Sequence, residues 1–290
     1  MNARRCFFVS DLHGSLDRLQ TLWTVIRSER PGAVFIGGDI LPAGSLLADG
    51  PDVRHRDFVN EAFGVGLRHL RDELGPAYPE VFVILGNDDP RFEEPAVLDL
   101  ATEGLWNYVH GRHVRWADFH VYGYACVPPT PFLLKDWERY DVSRYVDPGC
   151  VSPEEGWHSV PVAAHETRWA TMTQELALLV GDRPLDRAIL LLHAPPYRTG
   201  LDRAALDGRL VEHIPVDVHV GSIAVRRFIE ARQPLVTLHG HVHESARLTG
   251  IWREQIGSTV ALSAAHDGPE LALVRFSPDH PDRATRALLS

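Results

Sequence analysis

Lysine is almost missing from this chain. Lys135 is the only one in 290 residues, and arginine supplies nearly all of the 29 positive charges, a bias of composition rather than a functional signal. Cysteine is scarce too. Cys6, Cys126 and Cys150 are odd in number and far apart, which excludes a disulfide framework and a zinc knuckle and fits a reducing cytoplasm. No apolar run approaches the roughly 18 residues that a membrane span needs. The opening MNARRCFFVSDLHGS lacks an apolar stretch of secretory-signal length, because Ser10 and Asp11 interrupt it. Internal repeats, low-complexity tracts and linkers are also missing, so one domain is expected over 1–290. Acid, by contrast, is in excess: 39 Asp and Glu give a formal net charge of −10. Such a surface repels long nucleic acid over most of its area, although a local groove could still take a phosphate.

Hydrophobic patterning organises the rest. Short runs rich in β-branched and aromatic residues at 6–10, 33–36, 81–85, 188–192 and 235–238 read as buried strands. Helical periodicity is expected over 16–28, 58–74, 165–180 and 223–232, the last capped by Ser222. Strand–helix alternation predicts a layered α/β fold. Residues 114–124, 246–251, 259–264 and 271–276 alternate like strands, so the last third is expected to add antiparallel strands, with a frayed end over the final ten residues. The stretch 126–161, rich in proline and aromatics, reads as a long loop. Its Phe132, Lys135, Trp137, Arg139, Tyr140 and Tyr145 suit either substrate contact or a small core of their own.

The chemistry collects where the strands stop. Their ends carry Asp11 and His13; Asp39; Asn87 and Asp88; His193; and His241 and His243. In open α/β sheets, sites form beyond the carboxyl ends of strands. Carboxylate, amide oxygen and imidazole together suit Mn, Fe, Zn or Ni, with Mg possible. The donors exceed the needs of one ion and fit two, about 3.5–4 Å apart. Alternation is expected to put Asp11 and His13 on one side of an extended backbone, and likewise His241 and His243. Glycines 37, 38, 86 and 240 are expected to let the chain turn beside them.

The ordered set DLH, GGD, GND, H and GHVH resembles the calcineurin-like metallophosphoesterase superfamily. The resemblance implies a β-sandwich flanked by helices, with a dinuclear metal centre at the sheet edge. It implies that Asp11, His13, Asp39 and His243 hold one ion, that Asp39 bridges, and that Asn87, His193 and His241 hold the other. Phosphoester hydrolysis by a metal-bridged hydroxide follows as the implied activity, phosphodiesterase-like on a small or nucleotide-type substrate. One position departs from the pattern. The third motif usually reads GNH, and here it is Gly86-Asn87-Asp88-Asp89. Ionised, Asp88 would repel phosphate; only a raised pKa would let it act as an acid. A preference for diesters or good leaving groups over unactivated monoesters is therefore expected, with Asp88 and Asn87 as the catalytic candidates.

Other residues carry two readings each. Arg198 is a candidate phosphate contact or a solvated arginine. His239 is a candidate substrate contact or a packed histidine. Asp89 is expected to hydrogen-bond the Asn87 loop or His13. Residues 219–222 open a helix that could attract an anion, or simply cap it. A catalytically inactive metal-binding scaffold on the same fold is the alternative function. A metal-dependent amidohydrolase barrel would need about eight βα units and leaves Asn87 unexplained.

Overall fold

The computed structural model describes residues 4–42 and 57–290. In chain order its elements are β1 (Cys6–Val9), α1 (Leu16–Glu29), β2 (Ala33–Gly37), α2 (Val65–Leu74), β3 (Glu80–Ile84), α3 (Glu94–Thr102), β4 (Asn107–Tyr108), β5 (His113–Trp116), β6 (Phe119–Tyr124), α4 (Ala164–Arg168) and α5 (Met172–Val180). They continue with β7 (Ala188–Leu192), β8 (Leu210–Val211), β9 (Ile214–Pro215), α6 (Ile223–Arg232), β10 (Val236–His239), α7 (Ser245–Thr249), β11 (Arg253–Ile256), β12 (Thr259–Ser263), β13 (Leu271–Phe276) and β14 (Thr285–Leu289). A π-helical stretch, Val59–Gly64, leads into α2.

Two six-stranded mixed sheets face each other. One runs β14-β13-β1-β2-β3-β4 and the other β11-β12-β10-β7-β6-β5; β8 and β9 form a separate hairpin. The apolar runs read from sequence are the central strands. β1 and β2 are buried along their whole length, as strands covered on both faces must be. Trp116 of β5 crosses between the layers, edge-on to Phe35 and Phe82 at 6.4 and 6.3 Å. Helices cover the outer faces. α1 turns Leu19, Leu22, Trp23 and Ile26 inward and packs on α2 and β13, while α5 packs on α6 and β6. Ser15 starts α1 by accepting from the Arg18 N–H, and Ser222 starts α6 by accepting from the Val225 N–H.

Several expectations need correction. Residues 165–180 form two helices. The chain breaks where Met172 donates its N–H to the Tyr140 carbonyl, and Thr171 caps the second helix on Gln174. Residues 246–251 fold as the short α7, ended by Gly250 at φ 73°, because a one-turn helix satisfies the same short pattern. The C-terminal strands divide between both sheets. β12 runs parallel to β10, whereas β11 on β12 and β13 on β1 are antiparallel. The last residues are not frayed: β14 pairs with β13 from Thr285 to Leu289 and satisfies its outer edge.

The stretch 126–161 has no helix, only isolated bridges, yet much of it is core. Trp137, Lys135, Asp136, Glu138, Arg139 and Tyr140 are buried; Phe132 and Tyr145 are exposed. Lys135 Nζ donates to Glu138 Oε2 at 2.6 Å and to the Thr130 carbonyl at 2.8 Å. Glu138 in turn accepts from the Thr130 N–H and hydroxyl. The only lysine is thus half of a buried ion pair, not a substrate contact. Removing one partner strands a buried charge, which costs about 3–5 kcal/mol. Lys135→Met is expected to lower the urea-unfolding free energy by about that amount, and Lys135→Met/Glu138→Leu to recover most of it.

Candidate metal centre

The carboxyl ends of β1, β2, β3, β7 and β10 meet at one edge of the sandwich, and every strand-end donor named above lies in the turns that follow them. Backbone hydrogen bonds carry the ladder into those turns. Asp11 N–H donates to the Gly38 carbonyl, His13 N–H to that of Asp39, and Gly240 N–H to that of His193. The β1 and β2 turns are thereby tied together, as are the β7 and β10 turns.

The backbone there is strained. Asp11 (φ 57°), His13 (47°), Asp39 (50°) and His241 (72°) all occupy the left-handed region. Each such residue costs on the order of 1–3 kcal/mol, which the surrounding fold must offset. The expected alternation is therefore not how these side chains converge. Asp11 and His13 reach one place by turning rather than by extension. The His241-Val242-His243 pair is split: His243 lies with Asp11 and His13, and His241 with Asp39 and His193. The glycines act mainly by close approach. A Cβ on Gly86 would sit 2.3 Å from Asp39 Oδ1, and one on Gly240 2.0 Å from Ser10 Oγ.

Two donor groups result, each with ligand atoms within 4.8 Å of one another, and both contain Asp39. One is Asp11, His13, Asp39 and His243; the other is Asp39, His193 and His241. His13 Nε2 stands 3.1 Å from His243 Nε2, and His243 Nε2 3.3 Å from Asp11 Oδ1. His193 Nε2 lies 3.2 Å from Asp39 Oδ2 and 3.1 Å from Asn87 Oδ1, so Asn87 adjoins the second group. The Gly37 carbonyl, 2.7 Å from His193 Nδ1, fixes that ring and aims its Nε2 at Asp39. Asp11 Oδ1 accepts from the His241 N–H at 2.9 Å, whereas Asp11 Oδ2 and His13 Nδ1 are buried without a hydrogen bond.

Electrostatics follow from packing two carboxylates among imidazoles. Burial pushes Asp11 upward, but the hydrogen bond and charge of His243, with His193 and His13, hold it well below the carboxylate range. Asp39 is lowered in the same way, chiefly by His193. Burial opposes charge on His193 and His243, yet Asp39 raises the first to about 10 and Asp11 the second to about 9. His241 is driven down to about 3 by burial and by His193. Asp88 is pushed up to about 7 by burial and by Asp39; its Oδ1 accepts from Asn87 Nδ2 and its Oδ2 lies 3.8 Å from His13 Nδ1.

Asp89 orients the Asn87 turn and not His13. Its buried carboxylate accepts from the N–H groups of Gly86, Ile40 and Leu41. The two candidate substrate contacts differ in exposure. His239 is fully buried, with Nδ1 at the Ala194 carbonyl and Nε2 at Thr237 Oγ1, both 2.8 Å, so neither ring nitrogen remains for a ligand. Arg198 is exposed and covers the Tyr197 ring at 5.3 Å. The N-terminus of α6 does attract an anion, but it is the protein's own. Asp141 accepts from the Ser222 hydroxyl and from the N–H groups of Ile223 and Ala224. His219 is taken up by Asp202 at 2.8 Å.

Sequence reasoning missed two supports. Arg18 of α1 donates to the carbonyls of Asp11, Gly268 and Pro269, and Trp137 donates to that of Asp89. Neither has a sequence signal, because each acts on a backbone carbonyl.

Among solved structures, TT1561 of Thermus thermophilus is similar over 99% of this chain and 100% of its own, at a TM-score of 0.58 and 17% identity. A dimetal phosphatase from Danio rerio is similar over 96% of this chain and 93% of its own, at 0.52 and 15%. These likenesses establish the fold. No curated protein matches the chain. The calcineurin-like phosphoesterase family profile matches residues 4–245, from the start of the described chain to just beyond His243, and the chain belongs to that family.

Proposed function

We propose that the protein is a metal-dependent phosphoester hydrolase that uses two divalent ions and acts, phosphodiesterase-like, on a small or nucleotide-type substrate. The observation that carries this is the sharing of Asp39 by two donor groups. Asp11, His13, Asp39 and His243 would hold one ion; Asp39, Asn87, His193 and His241 would hold the other. The donors fit such ions. Asp11 Oδ2 and His13 Nδ1 are buried polar atoms without a hydrogen bond, and carboxylate, imidazole and amide oxygen suit Mn, Fe, Zn or Ni, with Mg possible. Family membership and the dimetal chemistry of the Danio rerio phosphatase support the same reading.

Bound divalent ions would lower the pKa of water so that hydroxide is available near pH 7, and would supply positive charge for the phosphate oxygens. The chain's own residues do the rest. Gly37 locks the His193 ring, and Asp89 holds the Asn87 turn against the segment after Asp39. Without ions, burial and Asp39 push Asp88 up to about 7; bound ions would lower it, and the fraction that keeps its proton would give it to a leaving oxygen. When ionised it repels phosphate. A monoester carries close to two negative charges near neutral pH and a diester one, so the repulsion falls harder on the monoester. The net charge of −10 disfavours long nucleic acid, and three cysteines without a disulfide fit a cytoplasmic setting. Among the described residues, no helix is long and apolar enough to cross a membrane.

Metal analysis with a phosphoester panel tests the reading. Asp39→Asn is expected to lose bound metal and to lower kcat/KM on an aryl diester by more than about 100-fold. Stoichiometric metal and full activity in that variant would refute it. Aryl diesters are expected to turn over faster than alkyl monoesters in the Mn-loaded protein, and Asp88→His to narrow the gap.

The metal-free protein makes a separate prediction. His193 and His243 rise from the ordinary 6.5 to about 10 and about 9 on folding. Between pH 6.5 and those values the folded state binds more protons than the unfolded one, so stability falls as pH rises. Calorimetry with a chelator should show Tm falling from pH 6.5 towards 10. Added Mn should raise Tm more at pH 8.5 than at pH 6.5, because the cations displace those protons.

A further inference from the structure

The turn carrying Asn87 and Asp88 is gripped from two sides. From within, the Asp89 carboxylate takes the N–H groups of Gly86, Ile40 and Leu41 at 2.8, 3.1 and 2.8 Å. From outside, two adjacent residues of the 126–161 segment, Asp136 and Trp137, reach it. Trp137, 1% exposed, donates Nε1–H to the Asp89 carbonyl at 2.8 Å. Asp136 accepts the Arg91 N–H at 2.7 Å through Oδ2, and its carboxylate is itself fixed by the Ser159 N–H and hydroxyl. The Arg91 guanidinium covers the Trp137 ring at 5.4 Å and the His110 ring meets it edge-on at 4.9 Å, so the indole is packed on a face and an edge. Both hydrogen bonds fall just after Asp88, on either side of Pro90.

A turn without regular structure holds a side chain to metal-ligand tolerance only where its backbone is fixed by packed neighbours. The Asp89 carboxylate fixes the start of this turn, at Gly86. The grip from Trp137 and Asp136 fixes its end. We propose that Trp137 and Asp136 are positioning residues, which hold the Asn87–Asp88 turn so that the Asn87 amide oxygen joins His193 and His241 around a divalent cation. The proposal rests on the metal-dependent function above. It makes the 126–161 segment part of the scaffold of the metal centre.

Trp137→Phe tests this, because it keeps an aromatic ring and removes the N–H. Trp106→Phe is the control: Trp106 is also buried, its indole donates to the Val97 carbonyl at 3.1 Å, and it packs on Phe63 in the helical layer. Mn binding to the metal-stripped full-length protein is measured by titration calorimetry, with kcat and KM on an aryl diester. Trp137→Phe is expected to weaken Mn binding by about 10- to 100-fold and to lower kcat with little change in KM, while Trp106→Phe keeps wild-type values. Asp136→Asn, which replaces an acceptor by an amide N–H₂, is expected to follow Trp137→Phe and takes its place if that variant does not fold. A Trp137→Phe protein with wild-type affinity and kcat, or one that loses both only as far as Trp106→Phe does, overturns the positioning role alone. Wild-type protein that binds no Mn overturns the metal-dependent function itself.

Discussion

The architecture at this sheet edge follows from one constraint: two buried carboxylates, Asp11 and Asp39, must coexist with almost no solvent around them. Like charges in a low-dielectric site repel strongly, so positive charge has to be supplied. Without a cation the supply is two imidazolium rings, His193 against Asp39 and His243 against Asp11. That arrangement marks where divalent ions would sit, because the same ring nitrogens and carboxylate oxygens are the donors. Asp39 is the hinge of the scheme. Its Oδ1 accepts the Asp88 N–H, while Oδ2 faces His193 and, at 4.0 Å, His13. The loops after β1, β2, β3 and β7 therefore depend on one residue.

The donor set is legible in the sequence, and its geometry is not. Asp, His and Asn gathered at the ends of apolar runs are recognisable by residue type alone. Alternation along the strands points to the right convergence by the wrong route. Left-handed backbone at Asp11, His13, Asp39 and His241 contradicts local propensity, and only the packed context imposes it. The same holds for α7, where a single helical turn and a short strand look alike until Gly250 is seen to end it. The parallel run of β12 beside β10 is hidden in the sequence because period-two alternation carries no strand direction.

Asp88 shows how an acid set among other acids is governed by its surroundings. A carboxylate placed beside Asp39 and Asp11, and partly buried, resists ionising. Without a cation it keeps its proton towards neutrality. Positive charge nearby works against this. His193 and His243 already pull Asp88 down, and divalent ions would pull harder. The protonation state of Asp88 is thus tied to the charge of the centre beside it and is not a property of the residue alone.

The 126–161 segment has the aromatics and cations of a ligand-binding loop. Its actual use follows from backbone accounting. A buried segment without helix or sheet pairs only part of its N–H and C=O groups with its own backbone, as Val127 N–H does with the Trp137 carbonyl and Trp157 N–H with that of Leu133, so side chains take up others. Glu138 takes the Thr130 N–H, Lys135 the Thr130 carbonyl, Asp136 the N–H groups of Arg91 and Ser159, and Arg139 the Glu138 carbonyl. Asp141 extends the pattern outward by capping α6. Charged residues there complete the pairing that isolated bridges leave unfinished. Composition alone cannot separate that need from a binding function, since both call for the same side chains; burial decides between them, and here it assigns Lys135, Trp137 and Arg139 to the scaffold.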